Sequence, residues 1–276
     1  MAVLIGADPE FFLREKRTRR NISAHGLVPG TKDKPKKLKY GAIQLDGTAV
    51  EFNIAPAKDV RQFKRNIDEV LRQIRQMIPE KYDFNFSPSV KYGPKYFEQI
   101  PEDCKILGCN PDHDAYKGGA LNPIPEDIGT LRTGAGHIHI GYTKNLPNVL
   151  DPSHLTDCIW ITRNMDALIE PIEHLWDKDT TRRKMYGKLG AFRPKPYGVE
   201  YRALSNAWVK HPDLYDFIYA CGLVSYTAAT KGLILSNLIP HKEKMGPKTY
   251  NTLLKTIPRY YGLEMPRLPL TVAGVY

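Results

Sequence analysis

The chain has no long hydrophobic run. None of its segments approaches the ~18 consecutive apolar residues of a membrane-spanning helix. Cysteine is scarce: Cys104, Cys109, Cys158 and Cys221 include no C-x-x-C pair. They read as reduced core or surface residues, not as a zinc site or a disulfide framework. Neither G-x-x-x-x-G-K-[ST] nor G-x-G-x-x-G occurs, so neither of those phosphate loops is available to a nucleotide. The opening stretch "MAVLIGADPEFFL" has no basic n-region and no small-residue cleavage site. It reads as a first strand and not as a signal peptide. No internal repeat and no linker divides the chain, so one domain over residues 1–276 is expected.

What is present is ordinary in bulk and uneven in detail. Hydrophobic residues make up 42% and charged residues 25% of the chain, as in globular proteins. The net charge of +10 is concentrated in one place. Residues 14 to 39, "REKRTRRNISAHGLVPGTKDKPKKLK", hold ten Lys/Arg against Glu15 and Asp33, a local net of +8. The remainder, with 30 basic and 28 acidic residues, is close to neutral. The segment 14–40 therefore reads as a basic loop insertion, either simply solvated or a guide for a polyanion, nucleotide phosphates or nucleic acid. No aromatic side chain is interleaved in residues 14–39, which argues against base stacking there.

Periodicity supplies the elements. Residues 2–13 read as a strand, and 41–54 as a strand or hairpin with Asp46-Gly47 as its turn signal. Residues 58–78 form the clearest amphipathic helix, with Val60, Phe63, Ile67, Val70, Leu71, Ile74 and Ile78 on one face. Residues 82–92 alternate as a strand, and 99–133 read as loops. A histidine strand, "GAGHIHIGY", follows at 134–142. Helices are expected over 152–176, 212–236 and 247–262, and a short strand over 198–205.

The strands carry polar residues in an informative pattern. Side chains two apart on a strand share a face. Asp8 and Glu10 share one, as do Glu51 and Asn53, His137 and His139, and Glu200 and Arg202. Each pair alone is compatible with a solvent face or a surface ion pair. Together they gather carboxylates that repel and are costly to desolvate, and a divalent cation relieves both costs. Several carboxylates with one imidazole are oxygen-rich ligation, favouring Mg²⁺ or Mn²⁺. Mg²⁺ commonly works with phosphate, and "TRRKMYGKLGAFRPKPYGVEYR" supplies Arg182, Arg183, Lys184, Lys188, Arg193, Lys195 and Arg202 for it.

"GADPEFFL", "GAGHIHIGY" and "GVEYRALSN" resemble, in that order, three strand motifs of glutamine synthetases. The fuller strings "RRKMYGKLGAFRPKPYGVEYRALSN", "QLDGTAVEFN" and "GCNPDHDAY" resemble more closely the phage-type carboxylate–amine (COOH–NH₂) ligases of the glutamine synthetase-like superfamily. The resemblance spans roughly residues 2–208. It implies an α+β fold: a curved, mainly antiparallel sheet forming an open funnel, with helices packed outside. It also implies ATP and two divalent ions, Mg²⁺ or Mn²⁺, inside the funnel. Asp8, Glu10, Glu51, His137 and Glu200 would be the metal ligands, and His139, Lys188, Arg193 and Arg202 would hold the nucleotide. Arg202, Arg193 and Arg183 would bind phosphate or the substrate carboxylate. Asp46 would be either a partner of Glu51 or the base that takes the amine proton, a role for which Asp112, His113 and Asp114 also stand as candidates.

The implied reaction joins a small-molecule or peptide carboxylate to an amine through an acyl phosphate. The implied location is cytoplasmic, in the host cell if the protein is phage-encoded. Two rival functions remain at this level. One is a zinc hydrolase using His137 and His139, which leaves the arginine cluster idle. The other is a protein that binds or modifies nucleic acid through the basic segment.

Overall fold

The computed structural model describes residues 2–106, 111–123, 129–240, 243–257 and 261–274. Its strands are β1 (Leu4–Glu15), β2 (Asn21–Ile22), β3 (Lys36–Leu38), β4 (Gly41–Asp46), β5 (Ala49–Ile54), β6 (Tyr82–Asn85), β7 (Ser89–Lys91), β8 (His113–Asp114), β9 (Ala120–Leu121), β10 (Leu131–Thr133), β11 (Gly136–Gly141), β12 (Ala191–Lys195) and β13 (Gly198–Tyr201). Its α-helices are α1 (Val60–Met77), α2 (Pro94–Glu98), α3 (Glu102–Lys105), α4 (Pro152–Glu173), α5 (Arg182–Met185), α6 (Leu214–Thr230) and α7 (Pro247–Thr256).

Eleven strands form one sheet in the order β3-β4-β5-β1-β11-β13-β12-β8-β9, with β2 and β6 also paired to β1. β7 and β10 form a separate ribbon. All these pairings are antiparallel, so the fold is α+β with a large antiparallel sheet.

β1 is the central strand, and its alternation divides the molecule. Ile5, Ala7, Phe11 and Leu13 point into the main core, whereas Asp8 and Glu10 line a cleft on the opposite face. β11 repeats the pattern: Ile138 and Ile140 are fully buried in the same core, and His137 lines the cleft. Helices α1, α4 and α6 cover the apolar face. α1 buries Phe63, Ile67, Val70 and Ile74, and the Asp59 carboxylate caps it by accepting from the Gln62 amide at 2.8 Å. Each such side chain contributes about 1.5–3 kcal/mol through burial. α6 lies so close to the sheet that a Cβ at Gly222 would stand 2.9 Å from Ile5 Cδ1. On the cleft face Phe12 joins a small second core with Ala49, Val90, Tyr92, Ile100 and Cys104.

Several expectations change in detail. Residues 82–92 are two strands in different sheets, because Pro88 interrupts the run between β6 and β7. The span 99–133 is not all loop: it carries α3 and the short strands β8, β9 and β10. The basic segment carries structure too. β1 continues through Glu15, β2 pairs with β1, and β3 pairs with β4. Cys104, Cys158 and Cys221 are buried and free, while Cys109 lies outside the described residues. No helix among the described residues is long and apolar enough to cross a membrane.

Candidate metal and phosphate site

Strand register builds the site. Asp8 on β1 stands opposite His137 on β11, and His139 opposite Glu200 on β13. Glu200 in turn faces Arg193 on β12. On the other side of β1, Glu10 pairs with Glu51 on β5, which pairs with Gln44 on β4. Four neighbouring strands thus turn acids and imidazoles onto one face. The glycine before His137 has a steric cause: a Cβ at Gly136 would lie 2.3 Å from the Ser205 carbonyl oxygen and 2.5 Å from Trp208 Nε1.

The result is a polar cleft of about 270 Å³, lined among others by Asp8, Glu10, Asp46, Glu51, His137, Arg193, Glu200 and Arg202. Two groups within it offer ligand atoms close enough to share a cation: Asp8 with His137 and Glu200, and Glu10 with Asp46 and Glu51. In the first, His137 Nδ1 is 3.3 Å from Asp8 and 3.4 Å from Glu200, and His139 Nε2 is 3.0 Å from Asp8. His137 Nε2 is buried with no hydrogen-bond partner among the described residues. In the second, Gln44 donates to Glu51 at 2.7 Å and the Ala135 amide to Glu10 at 3.0 Å. Both sets are rich in carboxylate oxygen, the first also holds the orphaned buried His137 nitrogen, and both fit hard divalent ions.

The electrostatics show the same crowding. Burial, with the Asp46 and Asp8 charges, pushes the Glu10 carboxyl from 4.5 to about 7. Burial, with the charges of Asp8, Glu10 and Asp46, raises Glu51 well above its usual range. Burial also raises Asp8, but the imidazoles of His139 and His137 outweigh it and hold that carboxyl well below its ordinary value. Burial and the Arg202 charge lower His137 to about 3, leaving a neutral imidazole suited to ligation.

A cationic wall flanks the first group. Lys195 Nζ is 2.8 Å from Glu200, and Arg193 approaches Glu200 at 3.8 Å and Asp112 at 3.9 Å. Arg202 donates to both Glu200 and Asp112. Tyr186 lies beneath the Arg202 guanidinium and edge-on to His137. Behind them Arg182, 1% exposed, donates to the carbonyls of Arg202, Ala203 and Leu204 and fixes the chain after β13.

A second, mainly apolar pocket of about 580 Å³ adjoins the cleft. Leu4, Ala7, Ile54, Pro56 and Gly141 line it, with Asn53, Thr143 and Tyr197. Asp8 and Glu51 belong to both spaces, and His139 stands at its edge.

Not every sequence-predicted residue reaches this region. Arg183 pairs with Glu173 on α4 and Lys188 is exposed; neither lines the cleft or the adjoining pocket. Asp46 lies in the cleft with Glu10 and Glu51, its oxygen close enough to theirs to share a cation. Asp112 braces Arg202, His113 Nδ1 meets the Gly119 carbonyl, and Asp114 caps the turn at Tyr116, so none of the three faces the cleft. Lys32, Gln44, Tyr186 and Arg132 line the cleft without having been singled out from sequence.

Oxygen-rich cation pockets beside guanidinium groups are the equipment of phosphate chemistry. Residues 132–243 match the family model described as Phage phiEco32-like COOH.NH2 ligase-type 2. The resemblance to phage-type carboxylate–amine ligases is therefore shown over that segment, which carries His137, His139, Arg193, Glu200 and Arg202. Among solved structures, the chain is similar to a bifunctional glutathione synthetase from Pasteurella multocida, with 10% identity and a TM-score of 0.47, covering 95% of this chain and 45% of that one. It is also similar to a novel glutamine synthase homolog, with 12% identity and a TM-score of 0.37, covering 83% and 56% respectively. The chain thus spans about half the length of these structures. No curated protein matches it.

Proposed function

We propose that the chain is an ATP-dependent carboxylate–amine ligase with a glutamine synthetase-like funnel, forming an amide through an acyl phosphate at a two-metal site. The observation that carries this assignment is the convergence of Asp8–His137–Glu200 and Glu10–Asp46–Glu51, from separate strands, into one cleft. Mg²⁺ or Mn²⁺ held by these residues would neutralise the triphosphate and the attacking carboxylate.

The remaining groups divide the substrates between the two spaces. The apolar pocket suits an adenine ring, with Asn53 and Thr143 as polar edges, and its junction with the cleft at Asp8 and Glu51 directs the phosphates toward the acids. His139 stands at that junction, beside the phosphates. Arg193, Lys195 and Arg202 bind the γ-phosphate oxygens and stabilise the charge that spreads over them during transfer. The donor carboxylate oxygen attacks the γ-phosphorus, the bond to the β-phosphate oxygen breaks, and ADP leaves. The amine then attacks the acyl carbon, the acyl phosphate C–O bond breaks, and inorganic phosphate and a proton are released. Burial of Glu200 on β13 keeps that site where water screens charge little.

The test is direct. The protein is incubated with ATP, Mg²⁺ and a panel of amino acids, and mass spectrometry follows ADP and condensed products. ADP formed together with a product equal in mass to two panel members less water supports the assignment. Intact ATP with every combination of the panel counts against it.

A further inference from the structure

The cationic segment places one of its lysines inside the acidic cleft, beside Asp46. A tight turn puts it there. Gly30 precedes the turn with φ of 88°, and a Cβ at that position would lie 2.6 Å from the Ile43 carbonyl oxygen and 2.7 Å from the Lys36 amide nitrogen, so only glycine fits. Thr31 and Lys34 close the turn by exchanging backbone hydrogen bonds of 3.2 and 3.1 Å, with Lys32 and Asp33 at its tip. The Gly30 carbonyl accepts from the Leu45 amide, which ties the turn to β4 beside Asp46. Lys32 Nζ then stands 2.8 Å from Asp46 Oδ1 and lines the cleft.

We propose that Lys32 is the resident counter-cation of the Glu10–Asp46–Glu51 group, and that a divalent ion entering this second site must displace its ammonium from Asp46. The inference rests on the assignment of that group as a metal site. Three carboxylates this close repel one another, and a neighbouring positive charge relieves that repulsion where no metal is bound. An ammonium on a half-exposed, flexible stem supplies it at little cost in packing and withdraws easily. The first group differs in kind. Besides the Lys195 ammonium, 2.8 Å from Glu200, its neighbouring cations are the planar guanidinium groups of Arg193 on β12 and Arg202 directly after β13. Lys32 therefore makes the second site the weaker and the exchangeable one. It also gives the basic segment a specific task at the cleft, separate from its overall charge.

Mn²⁺ binding to the full chain, followed by electron paramagnetic resonance of the free ion, tests this without any turnover. Lys32→Met and Lys32→Gln are expected to tighten the weaker Mn²⁺ site by roughly tenfold or more, the effect of removing one competing charge at contact distance. Lys32→Arg, which keeps the charge, is expected to leave it within about twofold of wild type. Lys36→Met removes an equal charge from the exposed part of the segment and is also expected to leave it unchanged, because solvent screens that distance. Thermal melting checks that each variant folds. Two Mn²⁺ ions bound with the same affinities in wild type and in both neutral Lys32 variants would overturn the inference alone, as would an equal effect of Lys36→Met. No Mn²⁺ bound by any of the proteins would overturn the metal-site assignment and the inference with it.

Discussion

Glu10→Gln is expected to stabilise the metal-free protein above neutral pH. Glu10 sits beside Asp8, Asp46 and Glu51, and burial with the Asp46 and Asp8 charges raises its carboxyl from 4.5 to about 7. In the unfolded chain it ionises near 4.5; in the folded chain it keeps its proton until about pH 7. Between those values the folded state binds more protons, so stability falls as pH rises through the window, and the full penalty remains above it. At about 1.4 kcal/mol per tenfold, the penalty amounts to about 3 kcal/mol. Glutamine removes it and keeps an oxygen to accept from the Ala135 amide. In EDTA at pH 8 the variant should melt roughly 5–10 °C above wild type, and near pH 4.5 the two should melt together. Saturating Mn²⁺ should close the gap by stabilising wild type more, because the variant has lost a ligand of the second site. Scanning calorimetry at the two pH values, with and without Mn²⁺, provides the assay. Equal melting temperatures at pH 8 in EDTA, or equal stabilisation of both proteins by Mn²⁺, would refute the reasoning.

Three further outcomes follow from the geometry. Arg183→Ala leaves Glu173 buried without its guanidinium and should cost up to about 3 kcal/mol of stability, with no change in the KM for ATP; an altered KM in a protein of unchanged stability would place Arg183 at the phosphates after all. Arg193→Ala removes a guanidinium from the cleft and should lower kcat by roughly a hundredfold, measured as ADP release once a substrate pair is known; an unchanged kcat would detach Arg193 from the transfer step. Gly141→Val extends a side chain into the apolar pocket from a position where a Cβ meets only ordinary contacts, the nearest at 3.6 Å. It should raise the KM for ATP at least about tenfold without loss of folding, and an unchanged KM would move the adenine elsewhere.

How far this site was legible depends on spacing. The rule that residues two apart on a strand share a face was enough to pair Asp8 with Glu10 and to select Glu51, His137 and Glu200, because all lie on strands with clean alternation. Asp46 lay within reach of the same logic, but it stands at the end of β4 beside the turn, where alternation no longer fixes direction. β12 was hidden because Pro194 reads as a breaker, yet the edge facing Pro194 needs no amide from it, and Arg193 and Lys195 stand on this strand. Arg183 and Lys188 were grouped with the phosphate arginines by proximity in sequence. The short helix α5 turns Arg183 to Glu173 on α4, a contact set by three-dimensional packing alone. Lys32 and Tyr186 enter the cleft from turns, where no period governs the side chain.

The proposed chemistry requires two divalent ions in this cleft. Crystals grown with Mn²⁺ and a non-hydrolysable ATP analogue, measured at a wavelength where manganese scatters anomalously, test it most directly. Two anomalous peaks are expected, one among Asp8, His137 and Glu200 and one among Glu10, Asp46 and Glu51, with the analogue's phosphates between them and Arg202. An analogue bound with no anomalous peak at either group, or manganese held only elsewhere on the surface, would contradict the account.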